Sequence, residues 1–368
     1  MQINNLTLRN FRNYEEESFQ FGPGVNLILG ENAQGKTNLL EAIYYLSAGH
    51  GFRTRKEGEL IRFDAEFAEL EAEIMTHDRD QMLRAVLFAG RRPRQLFVGG
   101  VKAKTFAQMR GQLMSVLFCP EDLMVMRAGG AQRRRLLDMA LCQLRPGYER
   151  ALTEYNKLLE GKSRILKDWR EQPGLLELLP EYNGRMAQVG AILIGYRANY
   201  LEKMDRCTGA YHREFSGDRE QLSLEYRTVS TVADPKAGRQ ALEDAIAVHQ
   251  ETHARAELDA GQCLSGPHKD DFDVLLNGIS LKSFGSQGQT RTAAISLKLA
   301  ERQIFREDTG EEPVLLLDDV LSELDSRRQD FVLNKLSGGQ VFITCCETDK
   351  LTSIGKTILI QNGAKLPE

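Results

Sequence analysis

The string GENAQGKT at residues 30–37 constrains this chain more than any bulk property does. It is entered from VNLILG (25–30), a branched apolar run that reads as a buried strand. It leaves into NLLEAIYYLSA, where Leu39, Leu40, Ile43 and Leu46 form a helical apolar face. Strand, glycine loop and helix in that order make a phosphate-binding loop. In such a loop the backbone N–H groups of Gly30, Glu31, Asn32, Ala33, Gln34 and Gly35 wrap an anion, and the helix N-terminus adds its partial positive charge. Lys36 is placed to reach the β- and γ-phosphates, and Thr37 to ligate Mg²⁺, so ATP with Mg²⁺ is the expected ligand.

The second half of such a site arrives about 280 residues later. EEPVLLLDDVLSELD (311–325) is an apolar strand ending in two acids, which need a cation or hydrogen-bond donors at a buried strand end. Asp318 is placed to hold the Mg²⁺ shell, and Asp319 to orient or deprotonate an attacking water. Both halves belong to one nucleotide-binding head, so the middle of the chain is an insertion.

LSGGQ at 336–340 spells the signature of ABC-type ATPases, but it follows the acidic strand, whereas the signature precedes it. Between the helical RRQDFVLNKL and the strand VFITCC, it reads as a loop in which Gly338 or Gly339 ends the helix. The position before the acidic strand holds SFGSQGQTRTAAISLKLAERQIF (283–305). There Ser286, Gly288 and Gln289 stand where the signature's serine and glycines belong, ahead of a helix.

Residues from about 132 to 258 read as helices: QRRRLLDMALCQL, ERALTEYNKLLEGKSRILKDW, GRMAQVGAILIGYRANYLEKM and RQALEDAIAVHQETHARAE. They are broken at Arg145-Pro146-Gly147 and Gln172-Pro173-Gly174, and are too irregular in phase for a long coiled coil. A compact helical arm is expected, with extended chain near QLSLEYRTVSTV (221–232). The expected division is an N-terminal head lobe over 1–130, an arm over 131–260 and a C-terminal head lobe over 261–368.

Composition adds exclusions. No apolar run approaches the roughly 20 residues that cross a bilayer, and MQINNLTLRNF lacks a signal pattern, so a cytoplasmic protein without a membrane partner is expected. Six cysteines without a CxxC argue for a reducing compartment and against zinc; Cys345 and Cys346, in an apolar run, read as buried strand thiols. His249 and His253 are four apart on a helix, but no third ligand is evident. The net charge of −4 hides an asymmetry: acids dominate from Glu57 to Asp80, and none occurs between Arg84 and Arg110, which permits a local basic face.

Beyond the phosphate loop, the strings LTLRNFRNY (6–14), LSAGHGFRTR (46–55), LFCPEDL (117–123), GGAQRRRLLD (129–138), SGPHKDDF (265–272) and LLLDDVLSELD (315–325) cover the chain. On them it resembles the RecF family of bacterial recombinational-repair proteins, relatives of SMC-type heads. The resemblance implies an α/β fold: an ABC/SMC-type P-loop ATPase head carrying an inserted, mainly helical arm. It further implies an ATP-dependent homodimer, slow ATP hydrolysis, DNA binding, and work with RecR and RecO in loading RecA at gaps. It places Ser286 on the γ-phosphate held by the other subunit, Asp325 in the D-loop across the dimer, and Arg12 on a nucleotide phosphate, a solvated arginine being the alternative. Glu121 and Asp122 stand where a Q-loop glutamine would be, or cap a helix. Thr344 falls in the place of the switch histidine, where it donates a hydrogen bond without acting as an imidazole. His268 lies near the active face by the same analogy, or is simply structural. One departure is GGAQRRR, which lacks the family's proline.

Three basic clusters are candidates for DNA phosphates: Arg53, Arg55 and Lys56; Arg91, Arg92 and Arg94; and Arg133, Arg134 and Arg135. No recognition helix or aromatic set that would specify sequence is evident, so duplex or a single/double-strand junction is expected as partner. The alternative is the nucleotide-binding subunit of an ABC-type transporter, against which the large insertion argues. A nuclease-coupled head would need an acidic metal cluster that the sequence does not offer outside the ATP site.

Overall fold

Strands buried on both faces carry continuous apolar runs, and VNLIL, VLLL and SVLF are such strands. In the computed structural model, which describes residues 1–54, 56–77, 79–127, 129–346 and 355–366, they lie in one six-stranded sheet. Its order is Ala364–Lys365, Lys356–Gln361, Val25–Leu29, Val341–Cys345, Val314–Leu317, Ser115–Phe118. All neighbours are parallel except the terminal hairpin. Asn26, the polar residue in VNLIL, is fully buried but spends its amide on Gly22 and Gly24. The helix Lys36–Ala48 follows the phosphate loop, with Leu39, Leu40, Ile43 and Leu46 buried.

The chain divides into two compact units: Met1–Met124 with Ala294–Glu368, and Val125–Ala293. The first also contains an antiparallel sheet, ordered Tyr14–Gln20, Gln2–Phe11, Phe67–Met75, Asp80–Phe88, Gln95–Val98, Val101–Ala103. Its register puts Glu71 opposite Arg84, whose guanidinium also bonds Glu69. The acid-rich and acid-free stretches are thus hairpin neighbours, and part of the expected basic face is neutralised within the sheet.

LSGGQ forms the loop between the helix Ser326–Asn334 and the strand Val341–Cys345, and Gly338 sits at φ +90°. Gln340 is fully buried. Its Oε1 accepts from Ile3 N at 2.7 Å, and its Nε2 donates to the carbonyls of Ile3 and Gly22, each at 2.8 Å. The glutamine of this string is a strap between the two sheets.

In the second unit the helices Gly130–Leu144, Pro146–Asp168, Leu179–Ser216 and Arg239–Ala260 occupy the expected stretches. Ala187, Ala191, Ile194, Val229, Leu242 and Ile246 form part of their core. Arg197, fully buried, is matched by Asp138, Asp270, Tyr148 and the Pro267 carbonyl. The strand Leu222–Arg227 fulfils the alternation at 221–232 and pairs with Asp271–Leu276 over six residues. That pairing carries the second unit past the expected boundary at 260 to Ala293 and takes the GSQGQ string at 285–289 into it.

Candidate functional site

A cleft of about 500 Å³ opens beside the phosphate loop, lined by residues 32–38, Phe52, Arg53, Pro120, Glu121, Asp318 and Asp319. Gly30 has φ +157°, and a Cβ there would sit 2.3 Å from the Ile360 carbonyl, so no other residue fits. The loop is clamped from outside: Tyr14 Oη donates to the Gly35 carbonyl at 2.9 Å, and Asn13 Nδ2 to the Gln34 carbonyl at 2.9 Å. Lys36 Nζ donates to the carbonyls of Gly30 (2.7 Å) and Glu31 (2.9 Å) and lies 3.2 Å from Cys346 Sγ.

The acidic strand meets this loop through two hydroxyls. Thr37 Oγ1 donates to Asp318 Oδ1 at 2.9 Å, and Thr344 Oγ1 donates to the same oxygen at 3.0 Å. Thr344 Oγ1 in turn accepts the Asp319 N–H at 2.8 Å, fixing a residue that stands at φ +50°. Burial pushes the Asp318 carboxyl above its usual range, and the two hydroxyl bonds oppose that push. A hydroxyl and a carboxylate oxygen in contact are a donor set that suits a hard divalent cation, so Thr37 and Asp318 fit Mg²⁺.

Other expected residues have partners within the chain. Arg53, assigned to DNA, lines the cleft, where its charge opposes the upward shift of Asp318. Arg12, expected on a phosphate, donates to Glu41 (2.9 Å) and to the Glu59 carbonyl (2.7 Å); Glu41 is fully buried on the helix after the loop. Glu121 reaches the cleft, whereas Asp122 accepts the Cys119 N–H at 3.0 Å as a cap. Asp325 caps the next helix, accepting from Arg328 N at 3.0 Å. Cys345 is half-buried and Cys346 is exposed, which corrects the reading of both as buried thiols: the strand ends at Cys345 and delivers Cys346 to Lys36.

In the second unit Ser286 and Gln289 form a reciprocal capping box. Ser286 Oγ accepts the Gln289 N–H at 3.2 Å, and Gln289 Oε1 accepts the Ser286 N–H at 3.1 Å. Ser286 is exposed at the start of the helix Gln287–Thr309, with Gly288 in its first turn.

Of the basic clusters, Arg133 is withdrawn: it is buried, with Nε and Nη2 on Asp271 (2.6 and 2.7 Å) and Nη1 on the Val125 carbonyl. Arg134 donates to the Asp270 carbonyl, and Arg135 is half-buried. Arg94 is tied to Glu57, Tyr45 and the Gly49 carbonyl, which also removes it from the candidates. Arg91, Arg92 and Lys56 are exposed, Arg92 lying over the Phe88 ring; Arg55 lies outside the described residues. His249 and His253 stack 3.9 Å apart, each with Nδ1 engaged inside the arm. Among the described residues no helix is long and apolar enough to cross a membrane.

The clamp on the phosphate loop by Asn13 and Tyr14, and the place of Arg53 in the cleft, were missed from sequence. Their signal lies in the strings LTLRNFRNY and LSAGHGFRTR, which frame the loop on either side.

The family model for the RecF/RecN/SMC N-terminal domain matches residues 2–365. The DNA replication and repair protein RecF of Acetivibrio thermocellus is 34% identical over 95% of this chain and 94% of its own length. The protein of the same name from Clostridium botulinum is 36% identical over 99% of both chains. Among solved structures, the recombination mediator protein RecF-ATPrS in the RecFOR pathway has a TM-score of 0.93 at 34% identity, covering 100% of this chain and 98% of that one. The RecF-ATP structure has a TM-score of 0.89 at 35% identity, over 99% and 97%. An SMC head domain from Pyrococcus furiosus shares the fold, with a TM-score of 0.56 at 16% identity over 99% and 94%.

Proposed function

The chain belongs to the RecF family of SMC-type ATPase heads, and from that premise we propose that it is an ATP-gated DNA-binding protein of recombinational repair. The observation that carries the reading is the bond from Thr37 to Asp318, 281 residues apart, beside Lys36. It unites the two halves of a nucleoside triphosphatase at one cleft. The phosphate loop, residues 30–37, binds the triphosphate, and Lys36 leaves its loop carbonyls for the β- and γ-oxygens. Thr37 and Asp318 would hold Mg²⁺, which would supply positive charge against the phosphate oxygens. Asp319, held through its N–H by Thr344, orients the attacking water and takes its proton. The water oxygen bonds to the γ-phosphorus as the bond from that phosphorus to the β–γ bridging oxygen breaks, leaving ADP and inorganic phosphate. Turnover is slow and acts as a switch, stimulated by DNA.

Ser286 with Gly288 and Gln289 reads the γ-phosphate bound to a second copy, and Asp325 lies across the same ATP-bridged homodimer. Arg12 contributes by fixing the loop helix through Glu41 rather than by touching phosphate. DNA phosphates, at a duplex or junction and without sequence reading, meet Arg91, Arg92 and Lys56. By kinship with proteins of the RecFOR pathway, RecO and RecR are its partners and RecA loading its outcome. Sedimentation with and without ATP tests this: the parent dimerises on ATP, and Lys36→Arg and Ser286→Arg do not. Dimerisation of both variants at the parent's level overturns the reading.

A further inference from the structure

The capping box at Ser286 is held from behind. Gln289 Nε2 donates to Glu220 Oε1 at 3.0 Å, while the other carboxylate oxygen of Glu220 meets His212 Nε2, also at 3.0 Å. His212 is fully buried on the helix Leu179–Ser216, and its Nδ1 has no hydrogen-bond partner among the described residues. Burial keeps this imidazole below its ordinary pKa, so at neutral pH it carries one proton, and the contact with Glu220 places that proton on Nε2. Burial works against the charge on Glu220, yet the bonds from Gln289 and His212 hold its carboxyl below the usual range. It therefore accepts from both as an anion. The Glu220 N–H is also anchored, to Ser216 Oγ at 3.3 Å, at the end of the same helix.

This fixes the sense of the Gln289 amide. With its NH₂ on a carboxylate, its carbonyl must face the Ser286 N–H, and a flipped amide would set oxygen against oxygen. On the opposite side, Arg127 donates to the Gly285 carbonyl at 2.8 Å. We propose that Glu220 is a positioning residue for the signature serine: through Gln289 it holds the loop in the shape that reads the γ-phosphate of ATP on a second copy. The arm's longest helix then bears directly on the phosphate-reading loop. This inference rests on the ATP-bridged dimer proposed above.

The test uses the full chain and the variants Glu220→Ala, Glu220→Gln and Ser286→Arg, with three readouts: a fluorescent ATP analogue at dilute monomer, ATP-dependent dimerisation by sedimentation, and thermal melting. Glu220→Ala is expected to bind the analogue within about twofold of the parent and to dimerise about tenfold more weakly, the scale of one charge-assisted hydrogen bond. Glu220→Gln keeps an acceptor for Gln289 and recovers most of the loss. If Glu220→Ala dimerises like the parent while Ser286→Arg does not, the positioning role is overturned and the dimer stands. If Glu220→Ala loses analogue binding and melting temperature together, its role is merely structural and the inference falls. If Ser286→Arg also dimerises like the parent, Ser286 does not read the γ-phosphate of a second copy and the inference falls with its premise.

Discussion

Thr344 shows how much a single side chain can organise. Its hydroxyl touches both acids of the strand end, donating to Asp318 and accepting from the Asp319 backbone. Thr344→Val keeps the shape and removes both bonds. ATP turnover should fall about tenfold or more while nucleotide affinity changes little, because loss of the bond to the Asp319 backbone misplaces the group proposed to orient water without touching the loop. Single-turnover hydrolysis beside equilibrium binding separates the two. Cys346, exposed and 3.2 Å from Lys36 Nζ, offers a second probe. A maleimide on this thiol should block ATP binding, ATP should slow the reaction, and Cys346→Ser should resist; equal labelling with and without ATP would contradict that placement. The loop residues and both acids were legible in the sequence, because local order and residue type specify them. Cys346 and Arg133 were not: one depends on where a strand stops, the other on an aspartate 138 residues away.

At the scale of elements, two glycine-rich strings take different places. LSGGQ at 336–340 forms a connecting loop and GSQGQ at 285–289 opens a helix; order along the chain was enough to tell them apart. Gln340→Ala should cost about 2–4 kcal/mol of stability, since it strands the buried N–H and carbonyl of Ile3. Ser337→Arg, at an exposed loop position, should leave ATP-dependent dimerisation unchanged where Ser286→Arg abolishes it. Denaturant titration and sedimentation check the pair. The antiparallel sheet was less legible. FAELEAEIM alternates visibly, but nothing local says that Arg84 would lie opposite Glu71. The basic edge that remains is smaller: Arg91→Glu with Arg92→Glu should weaken DNA binding uniformly across sequences and lower the salt slope by about 2.

Over the whole molecule, polar groups are buried in the arm as deliberately as in the head. His268 is held between Tyr155 Oη (2.8 Å) and the Cys263 carbonyl (3.1 Å), and burial lowers its pKa to about 4. His212 and His249 are lowered for the same first reason. A histidine held neutral when folded stabilises above its unfolded pKa and loses that contribution as pH falls through the window down to its folded value. Stability should therefore drop between about pH 6.5 and 4, by roughly 3 kcal/mol for His268 alone. His268→Gln should flatten the fall of melting temperature across that window. The division into head and arm was legible from the distance between the two nucleotide strings. The arm's end at Ala293 was not, because it depends on Leu222–Arg227 choosing Asp271–Leu276 as its partner.

The strand that precedes the phosphate loop, Val25–Leu29, has Val341–Cys345 on one side and Lys356–Gln361 on the other. Of the strands in its sheet it therefore emerges first and waits longest: both of its hydrogen-bonding neighbours are made more than 300 residues later. Until then an apolar strand has no sheet to join, while the arm between can already fold, as domains do when they leave the ribosome. A ribosome stalled after residue 335 has made every residue that lines the cleft, yet its nascent chain should bind no ATP. The birth of the site is set by strands made more than 300 residues after its loop, and a stop before them is as damaging as one in the loop itself.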